Sequence, residues 1–310
     1  MISLLLLALL LFPFSAAFAD TGLVCAIDMG SHNFKLILGE MKQGKYVQHY
    51  YAKDQLGVGE HMSKAGVISP PKLKEIRQTL QKYLAVCDSN GIRTRSAVAT
   101  AAFREAKNQG DVIEIAKSLR LPLEIASEER ESQLAYLVGT LGKQNFAVID
   151  NGSRSIELVT FTAGAYQSSV FNLGYWIAFQ HFFRTAKTFG EADDRYRQVL
   201  APYLSSASFM KNRDGYVGVE MQHVARYLLS LDWADGVMVP LDAVTKKMTA
   251  LRALPEVEFS QLKKAKNIEA ILPRLVVMEQ TLTTFGYREM QVFERELGVG
   301  LIAEKDVLAK

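Results

Sequence analysis

The chain contains few cysteines and few prolines, and its positive and negative charges nearly balance. Two cysteines, Cys25 and Cys87, are too few for a disulfide framework. An oxidising compartment would permit a bridge between them. However, Cys25 falls in a predicted buried strand and Cys87 in a predicted helix, so we expect two buried free thiols. Neither cysteine has a metal-ligand pattern around it.

The net charge is +3, from 36 basic and 33 acidic residues, and gives no reason to expect nucleic acid as a partner. The sequence has no low-complexity segment and no proline-rich linker, so we expect its domains to pack directly on one another. A hydrophobic content of 49% with 22% charged residues is typical of a folded globular protein. The length suits two domains of ordinary size.

The N-terminus is apolar but lacks the positive region that usually precedes a secretion signal. Residues 17–19 read Ala-Phe-Ala and fit a cleavage site of small residues. We therefore predict a signal peptide over residues 1–19, a mature chain that begins at Asp20, and a periplasmic or secreted protein. An uncleaved anchor is the alternative, but the run is short for a span, which needs about 20 apolar residues. No later segment reads as membrane-spanning, so no stable span is expected after cleavage.

Two segments far apart in the sequence share one pattern. Residues 26–36 and 148–158 each contain an apolar strand ending in aspartate, a turn with glycine and serine, and a second apolar run. Such a β-hairpin offers backbone N–H groups to an anion, and its aspartate can hold a hard cation. One copy would indicate only an ordinary turn. Two copies indicate two related halves that face each other across a phosphate-binding cleft.

The hydrophobic periodicity predicts alternating strands and helices, which is typical of an α/β protein with mixed sheets. The predicted strands are a pair within 24–38 and single strands at 45–51, 96–100, 123–126, 166–170, 236–241 and 290–293, together with a hairpin that begins near residue 145. The predicted helices are 72–86, a region from 101, 111–119, 128–139, 176–204, 222–231, 257–264, 268–285 and one from 298. Ser69 and Ser127 are the expected N-caps. We place the N-terminal lobe at residues 20–142 and the C-terminal lobe at 143–310.

Several ordered blocks together resemble the exopolyphosphatase and guanosine pentaphosphate phosphohydrolase (Ppx/GppA) family, within the actin-like ATPase superfamily. Residues 28–34 are similar to the family's Asp-x-Gly-Ser-Asn-Ser-Phe, and residues 99–108 to its Ala-Thr-Ser-Ala-x-Arg-Glu-Ala-x-Asn. Residues 125–134, 150–158, 172–174, 271–273 and 294–301 resemble further blocks. The resemblance covers nearly all of the mature chain. It implies two actin-like (ribonuclease H-like) lobes around a central cleft, in the short form without additional C-terminal helical domains.

The resemblance also implies a chemistry, the hydrolysis of a terminal phosphate from inorganic polyphosphate or a related phosphoanhydride with a divalent cation, usually Mg²⁺. Glu131 aligns with the catalytic carboxylate that orients or deprotonates water, and Arg104 with an arginine that clamps phosphate. The expected metal ligands are Asp150 and Glu157, with Asp28 opposite. The expected phosphate-binding residues are Gly30, Ser31, Asn33, Gly152, Arg154 and Ser155. In isolation, Glu131 would read as a helix first-turn acid and Arg104 as a surface ion-pair member.

The chain departs from the family pattern at the expected site. The second turn has only Gly152 where three glycines are usual, and the bulky Arg154 either blocks the phosphate or replaces lost amide contacts. His32 stands where asparagine is usual, and Arg130 replaces an acid. A third glycine-rich turn, expected just after Gly236, contains no glycine.

Two functions follow from these observations. The first is an exported phosphatase, and the second is a catalytically inactive member that binds polyphosphate or another partner. We place the phosphatase first, and pairing of two chains in a homodimer stays open.

Overall fold

The computed structural model describes residues 22–63, 65–229 and 235–308. The predicted signal peptide and its cleavage site lie outside these ranges. The strands are β1 Val24–Met29, β2 Asn33–Lys42, β3 Lys45–Gln55, β4 Arg95–Ala99, β5 Leu123–Ile125, β6 Phe146–Asn151, β7 Ile156–Thr162, β8 Ala165–Phe171, β9 Gly215–Val219, β10 Val237–Pro240 and β11 Glu289–Phe293. The helices are α1 Pro70–Ser89, α2 Ala101–Glu105, α3 Gln109–Ser118, α4 Glu128–Thr140, α5 Tyr175–Ala178, α6 Phe189–Ser206, α7 Gln222–Leu229, α8 Leu241–Arg252, α9 Glu256–Leu262, α10 Ile268–Phe285 and α11 Leu297–Leu308.

The strands form two sheets that repeat one topology. The first sheet has the order β3-β2-β1-β4-β5, and the second has β10-β11-β9-β6-β7-β8. In each sheet a three-stranded antiparallel meander, β1-β2-β3 or β6-β7-β8, continues through parallel pairs, β1-β4-β5 or β6-β9-β11. Strand β10 adds an antiparallel edge to the second sheet. The predicted α/β class with mixed sheets and two related halves is confirmed.

Two helices separate the sheets. Helices α4 and α11 pack against each other and contribute Leu134, Val138 and Ile302 to a buried core that also contains Ala26 of β1 and Val148 of β6. A second core lies under α1, α2 and α3 on the outer face of the first sheet. A third lies between the second sheet and α6 to α10. The predicted division between residues 142 and 143 stays a prediction.

The helix starts follow the capping chemistry that the sequence indicates. The Ser69 hydroxyl accepts a hydrogen bond from Lys72 N at 3.4 Å at the start of α1. The Ser127 hydroxyl accepts one from Arg130 N at 3.1 Å at the start of α4. Each contact satisfies one of the backbone donors that a helix leaves unpaired at its N-terminus. The second cap fixes where α4 begins, and therefore where Glu131 stands.

The cysteine prediction is wrong, because Cys25 and Cys87 form a disulfide. Both side chains are fully buried, as expected, but α1 packs on β1 so that the two Cα atoms lie 6.1 Å apart. That separation is ordinary for a disulfide. The two cysteines lie 62 positions apart in the sequence, and no local pattern indicated this contact.

The second lobe differs from its predicted elements in three places. Strand β9, which lies beside β6, was not predicted, because its short apolar run is interrupted by Gly218. The predicted helix 176–204 is interrupted after a π-helical turn, and a new helix, α6, begins directly after its N-cap residue Thr188. Residues 237–243, the expected third phosphate turn, instead form the edge strand β10 and the start of α8.

None of the helices within the described ranges is long and apolar enough to cross a bilayer.

Candidate functional site

Four strand ends meet at the cleft between the sheets. The turns after β1 and β6 face each other there, together with Thr100 after β4 and Glu220 after β9. They enclose an inner chamber of 80 Å³, well below the volume of sites for drug-sized ligands, about 300–1,000 Å³. Its lining includes all of the sequence-predicted phosphate and metal residues and Glu131: Asp28, Gly30, Ser31, Asn33, Glu131, Asp150, Gly152, Arg154, Ser155 and Glu157. A space of this size suits a phosphoryl group rather than a nucleoside.

The turn after β1 is supported from behind through its carbonyl groups. Ser31 O accepts a hydrogen bond from Gly59 N at 2.9 Å, and His32 O accepts one from Gly57 N at 2.8 Å. The Ser31 hydroxyl accepts from Ala102 N at 3.2 Å. Because C=O and N–H point in opposite directions within a trans peptide, the N–H groups of His32 and Asn33 point away from this support. The turn can therefore offer backbone donors to an anion.

The turn after β6 is supported in the same way by the start of α5. Gly152 O accepts from Tyr175 N at 2.9 Å, and Arg154 O accepts from Gly174 N at 3.0 Å. A Cβ at Gly174 would lie 2.5 Å from backbone atoms of Arg154 and Ser155, so only glycine allows this approach. The glycine that matters for this turn therefore lies outside it, in a segment 20 residues further along the chain.

The two hairpins place different side chains opposite their aspartates. In the first hairpin Asp28 pairs across the strands with Lys35, and Lys35 Nζ lies 3.3 Å from the Asp28 carboxylate. In the second hairpin Asp150 pairs with Glu157, which places two buried carboxylates side by side. Burial raises the pKa of both well above the usual range, and the negative charge of the nearby Glu131 raises both further. The second hairpin therefore places two carboxylates opposite each other, whereas in the first hairpin a lysine stands opposite the aspartate.

The second hairpin fits a divalent cation better than the first. Asp150 Oδ1 and Glu157 Oε1 are buried and have no hydrogen-bond partner among the residues that the structure describes. Within the described ranges, no three His, Cys, Asp or Glu side chains are placed to bind a metal ion together. Magnesium, however, is commonly held by one or two carboxylates together with water and substrate phosphates. Asp150 and Glu157 suit that role. Asp28 is already engaged by Lys35, and its role as a metal ligand stays a prediction.

Glu131 lies opposite these carboxylates, at the start of α4. Arg104 Nη1 donates to Glu131 Oε2 at 3.1 Å and to Ala126 O at 2.8 Å. Burial raises the pKa of Glu131 to about 7, although Arg104 opposes the shift. A carboxylate with a pKa near neutrality is suited to accept a proton from water at physiological pH. Arg104 contacts the carboxylate and not the phosphate turns, so its predicted role as a phosphate clamp stays a prediction.

The side chain of Arg154 does not fill the inner chamber. Its Nη2 donates to Glu105 Oε2 at 2.6 Å, which joins the turn after β6 to the end of α2. The other departures also have partners outside the chamber. His32 pairs with Glu60, and the Arg130 guanidinium makes two hydrogen bonds to Glu304 of α11 at 2.6 and 2.7 Å.

The structure adds a buried charge cluster that the sequence did not reveal. Lys35 Nζ lies 2.7 Å from Glu220 Oε1 and 2.5 Å from Glu296 Oε2. Arg274 of α10 donates to Asn151 O at 2.9 and 2.6 Å and lies 3.3 Å from Glu220 Oε2. Burial would raise the pKa of Glu220, but Lys35 and Arg274 outweigh it and lower the pKa far below its usual range. Glu220 is therefore anionic at neutral pH.

A sequence signal for this cluster existed in part. Lys35 is a charged residue within the apolar strand β2, and a charge there needs a partner. Its partners Glu220 and Glu296 lie 185 and 261 residues away, so local reasoning could not identify them.

Comparison with known proteins agrees with this geometry. The sequence profile of the Ppx/GppA phosphatase family matches residues 43–306. A crystal structure of the Aquifex aeolicus family member superimposes with a TM-score of 0.79 at 21% identity, covering 93% of this chain and 98% of that chain. A crystal structure of an exopolyphosphatase from Cytophaga hutchinsonii gives a TM-score of 0.71 at 17% identity, covering 92% and 98%. No curated protein sequence matches significantly. At these identities the structures establish a shared actin-like fold, and the profile establishes the family. By fold and by sequence, the chain belongs to the Ppx/GppA phosphatase family.

Proposed function

We propose that this protein is an exopolyphosphatase-type hydrolase that removes the terminal phosphoryl group from inorganic polyphosphate or a related phosphoanhydride. The observation that carries the proposal is the placement of Glu131, which lines the same small chamber as the turns after β1 and β6 and the carboxylates Asp150 and Glu157. Phosphoryl transfer to water needs an oriented nucleophile and neutralised charge, and little covalent chemistry from the protein. These residues could supply both requirements.

The roles of the residues follow from their positions. Glu131 would accept the proton of the attacking water, since its pKa is about 7. The N–H groups of His32, Asn33, Ser153 and Ser155 would hold the phosphoryl oxygens from two sides. A divalent cation held by Asp150 and Glu157 would supply charge neutralisation on the substrate when it is bound.

The inactive-binder alternative depends on Arg154 and the missing glycines of the second turn. The contact of Arg154 with Glu105 weakens that alternative, because the guanidinium is held by a residue outside the chamber lining. The carbonyl contacts to Gly174 and Tyr175 also support the turn without additional glycines within it.

Phosphate release from polyphosphate by residues 20–310, with and without Mg²⁺, tests the proposal directly. We expect Mg²⁺-dependent release that is lost in a Glu131→Gln variant. A Glu105→Gln variant is a useful companion, since it frees Arg154 without touching the chamber, and we expect it to change KM more than kcat. Binding of polyphosphate without any release above the Glu131→Gln background would instead support the inactive binder.

We further propose that the protein is exported. The N-terminal sequence supports export, and so does the Cys25–Cys87 disulfide, because such bonds persist mainly in oxidising compartments. Mass spectrometry of the protein recovered from a periplasmic or culture-medium fraction should give an N-terminus at Asp20. Recovery of an intact Met1 in the cytoplasm would contradict the proposal.

A further inference from the structure

A second chamber adjoins the inner one, and Glu220 lies between them. This outer chamber has a volume of 440 Å³ and lies between the first lobe and the N-terminal ends of α7 and α10. Lys35, Tyr175 and Glu220 line both chambers. On the opposite side, the Arg154–Glu105 ion pair spans the cleft beside α2. The outer chamber is therefore the open route for any part of a substrate that extends beyond the inner chamber.

Glu220 covers two cations at this junction. Its two carboxylate oxygens contact different partners, Oε1 with Lys35 at 2.7 Å and Oε2 with Arg274 at 3.3 Å. The side chains of Lys35 and Arg274 are only 9% and 4% exposed, whereas that of Glu220 is 23% exposed. The carboxylate therefore presents its own charge to the cavity and shields the two cations behind it. Two oxygens of a phosphate group could bridge the same pair of cations in the same way.

The backbone conformation at Glu220 is unusual for its residue type. Glu220 directly follows β9, and the last residue of that strand, Val219, pairs with Asp150. It therefore stands next to the turn that faces the inner chamber. Its φ of 57° lies in the left-handed region, where a non-glycine residue is uncommon and glycine is favoured. In this conformation the side chain contacts both Lys35 and Arg274.

We propose that Glu220 occupies, with its own carboxylate, the subsite next to the terminal phosphoryl group, and thereby restricts this hydrolase to short phosphoanhydrides. The inference rests on the proposed function. A substrate of two or three phosphates ends close to the inner chamber. A long polyphosphate must continue into the outer chamber, whose lining contains four glutamates but also the cations Lys35, Lys53 and Arg274. The repulsion is therefore centred on Glu220, whose carboxylate covers Lys35 and Arg274 at the entrance and opposes the next phosphate of a longer chain.

Two variants of Glu220 test this assignment on the full chain, expressed with its own N-terminus. Glu220→Gln removes the charge and keeps the shape, whereas Glu220→Gly also uncovers both cations and suits the positive φ. The matched control is Glu269→Gln, which removes one negative charge from the outer chamber. Glu269 lies on α10 and, unlike Glu220, forms no ion pair with Lys35 or Arg274. The substrates are tripolyphosphate and a polyphosphate of several hundred phosphates.

The expected result is a change in chain-length preference. Wild-type protein should have a higher kcat/KM for tripolyphosphate than for the long polymer. Both Glu220 variants should reduce that preference by at least about 10-fold, mainly by lowering KM for the long polymer. The reason is that removal of the Glu220 charge leaves Lys35 and Arg274 to attract the next phosphate. Glu269→Gln should change it by less than about 3-fold, because that carboxylate covers no cation.

Two results would overturn the inference. One is a wild-type preference for the long polymer, and the other is a shift in the Glu220 variants no larger than that of Glu269→Gln. If wild-type protein releases no phosphate from either substrate, the proposed function fails. Calorimetry then measures the affinity of tripolyphosphate and of the long polymer for wild type and for Glu220→Gln. If the ratio of the two affinities is the same in both proteins, the role of Glu220 is contradicted independently of the proposed function.

Discussion

Replacing Glu131 with glutamine is expected to stop phosphate release and, at alkaline pH, to make the folded protein more stable. Both effects have one cause, the burial of this carboxylate beside other acids. The charged groups near it include Arg104, Asp28 and Glu128, together with Asp150 and Glu157 across the chamber, and of these only Arg104 favours the ionised form. Glutamine keeps an acceptor for Arg104 and removes the charge that burial disfavours.

The size of the stability effect follows from the pKa. Burial raises the pKa of Glu131 from 4.5 to about 7. Below pH 4.5 the carboxyl is protonated in both the folded and unfolded states, so it does not affect stability. Above pH 7 it is ionised in both, and the folded state carries the full penalty. Since one pKa unit corresponds to about 1.4 kcal/mol, the penalty reaches roughly 3 kcal/mol. The gain in the variant should therefore grow between pH 4.5 and 7 and then level off.

Urea unfolding of wild type and Glu131→Gln at pH 5 and pH 8, with a chelator present, measures this directly. The control is Glu129→Gln, an exposed acid in the same first turn of α4. We expect the control to show little difference between the two pH values and to keep its activity. Equal stability changes at pH 5 and pH 8 for Glu131→Gln, or a loss of stability at pH 8, would show that Glu131 is not a strained ionised carboxylate.

Three further predictions concern the disulfide, the cation and the second turn. Replacing Cys25 and Cys87 together with alanine should lower the free energy of unfolding by roughly 4 kcal/mol, as expected for a closed loop of 62 residues, and an unchanged urea midpoint would argue against the bond. Asp150→Asn should raise the Mg²⁺ concentration needed for half-maximal activity by at least about 100-fold, because loss of a residue that only supports a metal ligand can already cost about 10- to 100-fold. An unchanged Mg²⁺ dependence of phosphate release would exclude Asp150 as a ligand. Gly174→Ala should raise KM and cost about 1–3 kcal/mol in urea unfolding, because its Cβ would meet the turn at 2.5 Å. Gly110→Ala, with open space around its Cβ, is the control, and equal effects would refute the packing argument.

The sequence was sufficient wherever the relevant interactions are local. The hairpins after β1 and β6 were predictable because each contains an apolar strand, its aspartate and its turn within about a dozen residues. The start of α4 was predictable because Ser127 caps the helix three residues before Arg130 N. The family resemblance then gave the expected roles of Glu131, Asp150 and Glu157, which stay predictions, and the structure places all three at one chamber.

Only the tertiary structure showed the interactions that join distant segments. The disulfide depends on the packing of α1 against β1, and the side chain of Arg154 is directed by Glu105, 49 residues earlier. The charge of Lys35 is balanced by residues that follow β9 and β11. No periodicity predicts such pairs, because their distance is set by which strands lie side by side and by how the two sheets face each other. The sequence therefore determined most strands, the two hairpin turns and the candidate reactive side chains, and the packing of the two lobes decided which charges meet across the cleft.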